Sequence, residues 1–321
     1  MADARMASLF SSALGVGVGI AVTVLSVAAL EAIAPVCSRV NSTPAVVDGG
    51  LSAVFARAAM ETTLQPRVLS TDPWLVVFDA FASTDECDDL IDVFAQQTTA
   101  VQSGITTAKS TKGGHHHIRS SSSSWCDATS CYDNAIVQRL VARLSGLTST
   151  PTSNAEVLQL LRYERGQEYK MHHDFMGGAD ASAAGGRVYS FVLFLSTPEA
   201  GGDLYFADLN ISVPATKGAA VLWPSLMDSD LSLPELHTHH ASRPVMQGTK
   251  LAAVTWIRMH DFRTLALERG CPAHAYSAPL TTPPLLMLPA YLEARERAGL
   301  EARVPPSLLS RLQGGGDAFS Q

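Results

Sequence analysis

The stretch YKMHHDFMGG, residues 169–178, sets two histidines beside an aspartate, and LHTHHASRPVMQGTK, residues 236–250, supplies three more histidines and a lysine. Imidazole nitrogens and carboxylate oxygens are metal ligands, so the question is which of them can meet. On an extended strand side chains alternate between faces, which sends His172 and Asp174 one way and His173 the other. One further imidazole, from His237, His239 or His240, would complete two imidazoles and one carboxylate. Such a set leaves coordination positions open and suits non-haem Fe(II), while the lack of thiolate speaks against structural zinc. The competing reading is a polar turn with exposed histidines, and an HxD pair alone does not decide between them.

These residues need strands to position them. Between Glu156 and Met259 the chain runs through EVLQLLRY, RVYSFVLFLS, GDLYFA, GAAVLWP and LAAVTWIRM, divided by turns such as PEAGGD and VMQGTK. Upstream, Trp74–Phe78 reads as a strand, and Ser83 with Glu86 forms a capping box for a helix that buries Leu90, Val93 and Phe94. Asp133 opens a second helix with Ile136, Leu140, Val141 and Leu144 on one face and Gly146 near its end. Two helices followed by many short strands predict helices packed outside an all-β sandwich or barrel, a mainly β (α+β) fold. Residues 102–124 show no apolar period and read as a long mobile loop or lid, with the histidines 115–117 solvated.

The composition frames these elements. A chain of 321 residues with 46% hydrophobic and 17% charged residues is globular, and a net charge of −7 without a Lys/Arg-rich run excludes a general nucleic-acid binder. From Ala13 to Leu30 no charged residue occurs; as a helix this run would span roughly 27 Å, close to a bilayer core. Arg5 precedes it, which keeps the N-terminus cytosolic and sends the rest into a lumen. A cleaved signal peptide ending near Val27-Ala28-Ala29 is the alternative, but the run exceeds the usual ~7–15-residue apolar core of such peptides. The reading is a single-pass signal-anchor in the endoplasmic reticulum or Golgi membrane. Sequons at Asn41 and Asn210 fit lumenal exposure, and Cys126 and Cys131 are spaced for a short disulfide loop. The expected organisation is a membrane segment 1–34, a stem 35–71, a catalytic domain 72–265, and a Pro-rich helical tail 266–321 outside the core.

The segments EVLQLLRYERGQEYKMHHDF, RVYSFVLFLSTPEAGGDLYF and HHASRPVMQGTKLAAVTWIR together resemble the 2-oxoglutarate- and Fe(II)-dependent prolyl 4-hydroxylases. IRSSSSSW is similar to that family's IRTS stretch, and VVFDAFASTDECDDLI to its opening strand and helix, so the resemblance spans about 72–262. It implies a double-stranded β-helix (jelly-roll, cupin-like) core with flanking helices. It also selects His240, which precedes Pro244-Val245 and Gly248, as the distal histidine, so that His172, Asp174 and His240 carry the metal role. Lys250 takes the family's 2-oxoglutarate position, with Tyr163 and Trp256 beside the cosubstrate, and Glu156 and Arg187 match substrate contacts. Glu156 and Arg187 read equally as a strand-edge ion pair. Where the family often has a threonine after GGE, this chain has Leu204.

The activity implied is hydroxylation of prolyl residues in procollagen- or cell-wall-type peptides with Fe(II), 2-oxoglutarate, O2 and L-ascorbate, releasing succinate. A proline-rich peptide or protein is the implied partner. The same cofactors acting on a lysyl side chain or a small molecule, or a catalytically silent membrane-tethered binding protein, are the alternatives; Lys250 rather than arginine favours the prolyl group.

Overall fold

In the computed structural model, which describes residues 41–96, 101–102, 105–106, 117–177, 183–271 and 284–313, the strand Lys250–Arg258 shows how the core is built. Ala252, Val254 and Trp256 enter one apolar cluster, and Ala253 and Ile257 the other. Alternation thus persists, yet the run reads as continuously apolar because both faces are covered.

That strand lies inside an eight-stranded sheet in the order Pro66–Thr71, Trp74–Phe78, Ala220–Pro224, Arg187–Phe194, Lys250–Arg258, Gln159–Tyr163, Ser122–Trp125 and Val101–Gln102. A six-stranded sheet runs Ile211–Val213, Leu204–Phe206, His240–Ser242, Tyr169–His172, His117–Arg119 and Ile105–Thr106. Neighbouring strands in both sheets are antiparallel. Leu161, Phe194 and Trp256 of the larger sheet share a cluster with Leu204 and Phe206 of the smaller one, so the sheets close on a common interior. This mainly antiparallel two-sheet core agrees with the jelly-roll class expected from the sequence.

The helices cover the other face of the larger sheet. In Thr84–Ala95 the capping box forms as expected: Glu86 N donates to Ser83 Oγ at 3.1 Å, and Ser83 N to Glu86 Oε2 at 3.0 Å. Leu90, Val93 and Phe94 are buried, as their spacing predicts. The second helix spans Ala135–Thr148 and buries Ile136, Leu140, Val141 and Leu144. Its cap is Asn134 rather than Asp133, because the Asn134 side chain accepts from Ile136 N at 3.0 Å. The helix continues past Gly146 and stops at Ser149, whose backbone is left-handed at φ 54°.

Three expectations are corrected. Within 102–124, the strand His117–Arg119 joins the smaller sheet and the strand that opens at Ser122 joins the larger one, pairing with Gln159–Arg162. Serine side chains offer no apolar period, yet Ser121, Ser123 and Ser124 are buried, and the pairing is made by backbone. The expected stem packs from Ala45 onward: Ala45 N donates to Met259 O at 2.7 Å, and Leu51, Val54, Phe55 and Ala58 of the helix Leu51–Ala58 enter the core. The tail also packs. Its helices Pro284–Arg297 and Pro306–Gln313 seat Leu288, Tyr291 and Leu308 against Met227, Leu233 and Leu236. The apolar run 13–30 and His115 and His116 lie outside the described residues, among which no helix is long and apolar enough to cross a membrane.

Candidate metal centre and its cavity

His172 and His240 are direct cross-strand partners on adjacent strands of the smaller sheet, which brings their ring centroids to 4.2 Å. Asp174 follows the end of the Tyr169–His172 strand and turns its carboxylate to the same point, 3.7 Å from His172 Nε2 and 3.6 Å from His240 Nε2. The three ligand atoms lie within 4.8 Å of one another, and among the described residues they form the one such cluster of histidine, cysteine and acidic groups. His173 takes no part in the cluster; its Nε2 lies 2.8 Å from Glu235 O.

The hydrogen bonds fix which ring nitrogens are free. His172 Nδ1 lies 2.8 Å from Lys170 O, and His240 Nδ1 lies 3.0 Å from Thr238 O. A carbonyl only accepts, so each Nδ1 carries the proton and each Nε2 lone pair faces the carboxylate. Burial disfavours the protonated form of both rings, and each is pushed well below the ordinary histidine value. Burial pushes the Asp174 carboxyl upward, yet the net shift is downward, and with both rings neutral it is the Arg187 charge and the Ser190 hydroxyl that favour the ionised form. Ser190 Oγ donates to Asp174 Oδ2 at 2.7 Å and meets Ser225 Oγ at 3.0 Å. Two imidazole lone pairs and a carboxylate crowded together without a proton between them repel unless a cation joins them. This donor set therefore fits Fe(II) bound on one face. Tyr169 stacks on the His172 ring at 3.6 Å and Trp223 abuts His240 at 4.8 Å, so both rings are held in orientation.

The cluster opens into a cavity of about 410 Å³ that also takes in Tyr163, Arg187, Lys250 and Trp256. Lys250 stands directly opposite Tyr163 on the neighbouring strand and is 2% exposed. Its Nζ donates to Ser242 Oγ at 2.7 Å, and the Tyr163 and Phe194 rings lie at 5.2 Å and 5.3 Å. Burial, partly opposed by Asp203, pushes the ammonium down to about 7. A buried cation lining a cavity is a site for a carboxylate.

Glu156 does not reach the cavity. It accepts from Arg187 Nε at 2.7 Å and Nη2 at 2.9 Å, and from Arg258 Nε at 2.7 Å, which makes a buried ion triad. Arg187 does line the cavity, with its guanidinium carbon 3.6 Å from the centre of the Trp256 ring. Of the two expected substrate contacts, then, Arg187 faces the cavity and Glu156 holds it from behind. Trp256 is 8% exposed there and its indole Nε1 has no hydrogen-bond partner.

Arg119 and Ser190 are among the site residues that the sequence does not single out. Arg119 is a second buried cation lining the cavity, with Nε donating to Ser121 Oγ at 3.1 Å and its guanidinium 5.0 Å from the Tyr169 ring. Its signal is the IR before the serine run, which reads as the start of a loop. Ser190 orients Asp174; its signal is a lone hydroxyl inside the otherwise apolar RVYSFVLF.

Comparison with known proteins adds to this geometry. Residues 158–258 match the 2OG-Fe(II) oxygenase superfamily. Prolyl 4-hydroxylase 1 of Arabidopsis thaliana is 31% identical over 209 residues, covering 61% of this chain and 72% of that protein. The human prolyl 4-hydroxylase subunit alpha-1 is 34% identical over 154 residues, 46% of this chain and 28% of its own length. Among solved structures, the 2OG complex of a viral collagen prolyl hydroxylase from Paramecium Bursaria Chlorella virus-1 is similar at TM-score 0.44 and 25% identity. That match covers 57% of this chain and 95% of the viral one.

Proposed function

Because this chain belongs to the prolyl 4-hydroxylase family of 2-oxoglutarate- and Fe(II)-dependent oxygenases, we propose that it hydroxylates prolyl residues of peptides or proteins at this cavity. Bound Fe(II), with O2 and 2-oxoglutarate, supplies the oxidising chemistry, 2-oxoglutarate leaving as succinate and carbon dioxide, and L-ascorbate serves as the accompanying reductant. His172, Asp174 and His240 hold the metal. The Lys250 ammonium takes the far carboxylate of 2-oxoglutarate, and the Tyr163 hydroxyl beside it supplies a second hydrogen bond. Burial of both groups excludes water, which strengthens the pairing. Arg187 stacked on Trp256 offers a flat, partly apolar wall for a proline ring. An extended proline-rich chain, already stiff, would lose little entropy on lying there.

One observation carries this reading: an unprotonated His–Asp–His cluster and a buried ammonium share a single cavity. Succinate release tests it. With Fe(II) and 2-oxoglutarate, release is expected to rise on adding a proline-rich peptide and to vanish in Asp174→Ala. Release indifferent to peptide would point to a small-molecule substrate, and none at all would remove the oxygenase reading.

We further infer that residues 1–34 tether the enzyme to the endoplasmic reticulum or Golgi membrane with the catalytic domain in the lumen. Supporting this, Cys126 and Cys131 form a disulfide that an oxidising compartment sustains, and Asn210 of a sequon is exposed at a hairpin tip. Protease protection of the catalytic domain in sealed microsomes checks it; digestion without detergent would place the domain on the other side.

A further inference from the structure

The C-terminal helices reach the metal centre from behind, without lining the cavity. Between the strands lies the turn Leu236–Thr238, and its backbone orients rings on both metal-bearing segments. Thr238 O receives the His240 Nδ1 proton at 3.0 Å. Glu235 O lies 2.8 Å from His173 Nε2, and His173 sits between His172 and Asp174 in the chain. His173 Nδ1 accepts from Phe175 N at 2.9 Å, so Nε2 bears the proton and donates to that carbonyl. The geometry of this turn therefore sets both halves of the ligand cluster.

What sets the turn is a buried carboxylate. Glu235 is 5% exposed and accepts from His237 N at 3.1 Å. Tyr291, on the helix Pro284–Arg297, donates its hydroxyl to the same Glu235 Oε1 at 2.6 Å. The phenol oxygen lies 2.6 Å from His237 Nδ1 and accepts from Arg295 Nη1 at 3.4 Å. Arg295 in turn grips Asp72 with two bonds, of 3.0 Å and 2.6 Å. Every proton along this chain runs in one consistent direction, toward Glu235 or Asp72. Deleting the phenol hydroxyl would leave the buried Glu235 with only the His237 N bond at 3.1 Å and the long His237 Nδ1 contact at 3.3 Å, and would strand His237 Nδ1 without its nearest partner, so the turn would have to move to compensate.

We propose that Tyr291 is a positioning residue for the metal centre, holding the Glu235–Thr238 turn so that His240 and the His172–Asp174 segment present their ligand atoms together. This rests on the metal role of His172, Asp174 and His240. The C-terminal helices are then part of the catalytic unit and not an appendage to it.

The test is Mn(II) binding to the full chain by calorimetry, with melting temperature measured in parallel. Tyr291→Phe and Glu235→Ala are each expected to weaken Mn(II) about tenfold, the usual cost of losing an outer-shell partner. Glu235→Gln keeps an acceptor for Tyr291 and is expected to restore most of that affinity. Leu288→Ala, which loosens the same helix without touching the network, is expected to lower the melting temperature and leave Mn(II) affinity unchanged. Wild-type affinity in folded Tyr291→Phe and Glu235→Ala would overturn the proposal, as would an equal loss in Leu288→Ala. His240→Ala is expected to abolish binding; if it binds Mn(II) normally, the ligand assignment itself is wrong.

Discussion

Asp174 has to stay ionised while buried, and it has to aim one oxygen at the metal. The Arg187 charge helps with the first need, and the Ser190 hydroxyl with both. Ser190→Ala leaves a carboxylate oxygen without its donor, and Mn(II) affinity is expected to fall about tenfold while His172 and His240 stay in place. Unchanged affinity by calorimetry would show that Asp174 needs no such guide. Lys250 makes a different prediction. Its ammonium is pushed down to about 7 by burial, yet it must be charged to hold a carboxylate. Below that value the cation is present and 2-oxoglutarate affinity is expected to be flat. Above it binding must recruit a proton, so affinity should fall by up to about tenfold per pH unit. Calorimetry at pH 8 in two buffers of different ionisation enthalpy reads that uptake directly, and no uptake would mean that Lys250 is already charged. The His172 and Asp174 pair was legible from its alternating spacing, whereas the family resemblance, not spacing, selected His240 among the three downstream histidines. Ser190 was not legible, since a lone hydroxyl in an apolar strand has no pattern to mark it, and Arg119 was legible only as part of IRSSSSSW, with no role attached.

Thr84–Ala95 is held at its start by the Ser83–Glu86 box, and Glu86 is shared with Arg143 of the neighbouring helix at 2.8 Å and 2.9 Å. The Arg143 hydrogen bond lowers the Glu86 carboxyl from the usual 4.5 to about 2, against the opposing effect of burial. A carboxyl depressed on folding stabilises above its unfolded value and loses that contribution as pH falls through its folded value. Stability is therefore expected to drop between pH 4.5 and about 2, and less so in Glu86→Gln. Ser83→Ala should cost about 1 kcal/mol in urea unfolding at neutral pH; no change would mean that the box is decorative. Both helices were legible from caps and a helical apolar period. The strands His117–Arg119 and Ser122–Trp125 were not, because the first is only three residues long, the buried serines of the second are small and polar, and the pairing partners lie elsewhere in the sequence. The tail was legible as helical but not as packed on the core, although Leu288, Tyr291 and Ala294 sit at the three-residue spacing of one buried face of a helix that runs through Pro289.

At the scale of the whole molecule, the cavity draws its ligand atoms from one sheet and its ammonium from the other. His172 and His240 lie in the smaller sheet, and Tyr163 and Lys250 in the larger. Mn(II) and 2-oxoglutarate together are thus expected to tie the sheets and raise the melting temperature, by about 2.7 kcal/mol of linkage at a hundredfold excess over the dissociation constant. His240→Ala should show no such rise. The sequence conveyed the two-sheet core through its strand texture, but not that residues before 72 and after 265 close around it, since those contacts are long-range. The most direct test of the account is mass spectrometry of a proline-rich peptide after incubation with the full chain, Fe(II), 2-oxoglutarate and ascorbate in air. The expected result is one added oxygen on prolyl residues, matched by succinate and absent with His240→Ala; an unmodified peptide with the wild-type chain, or equal oxidation by both proteins, would contradict it.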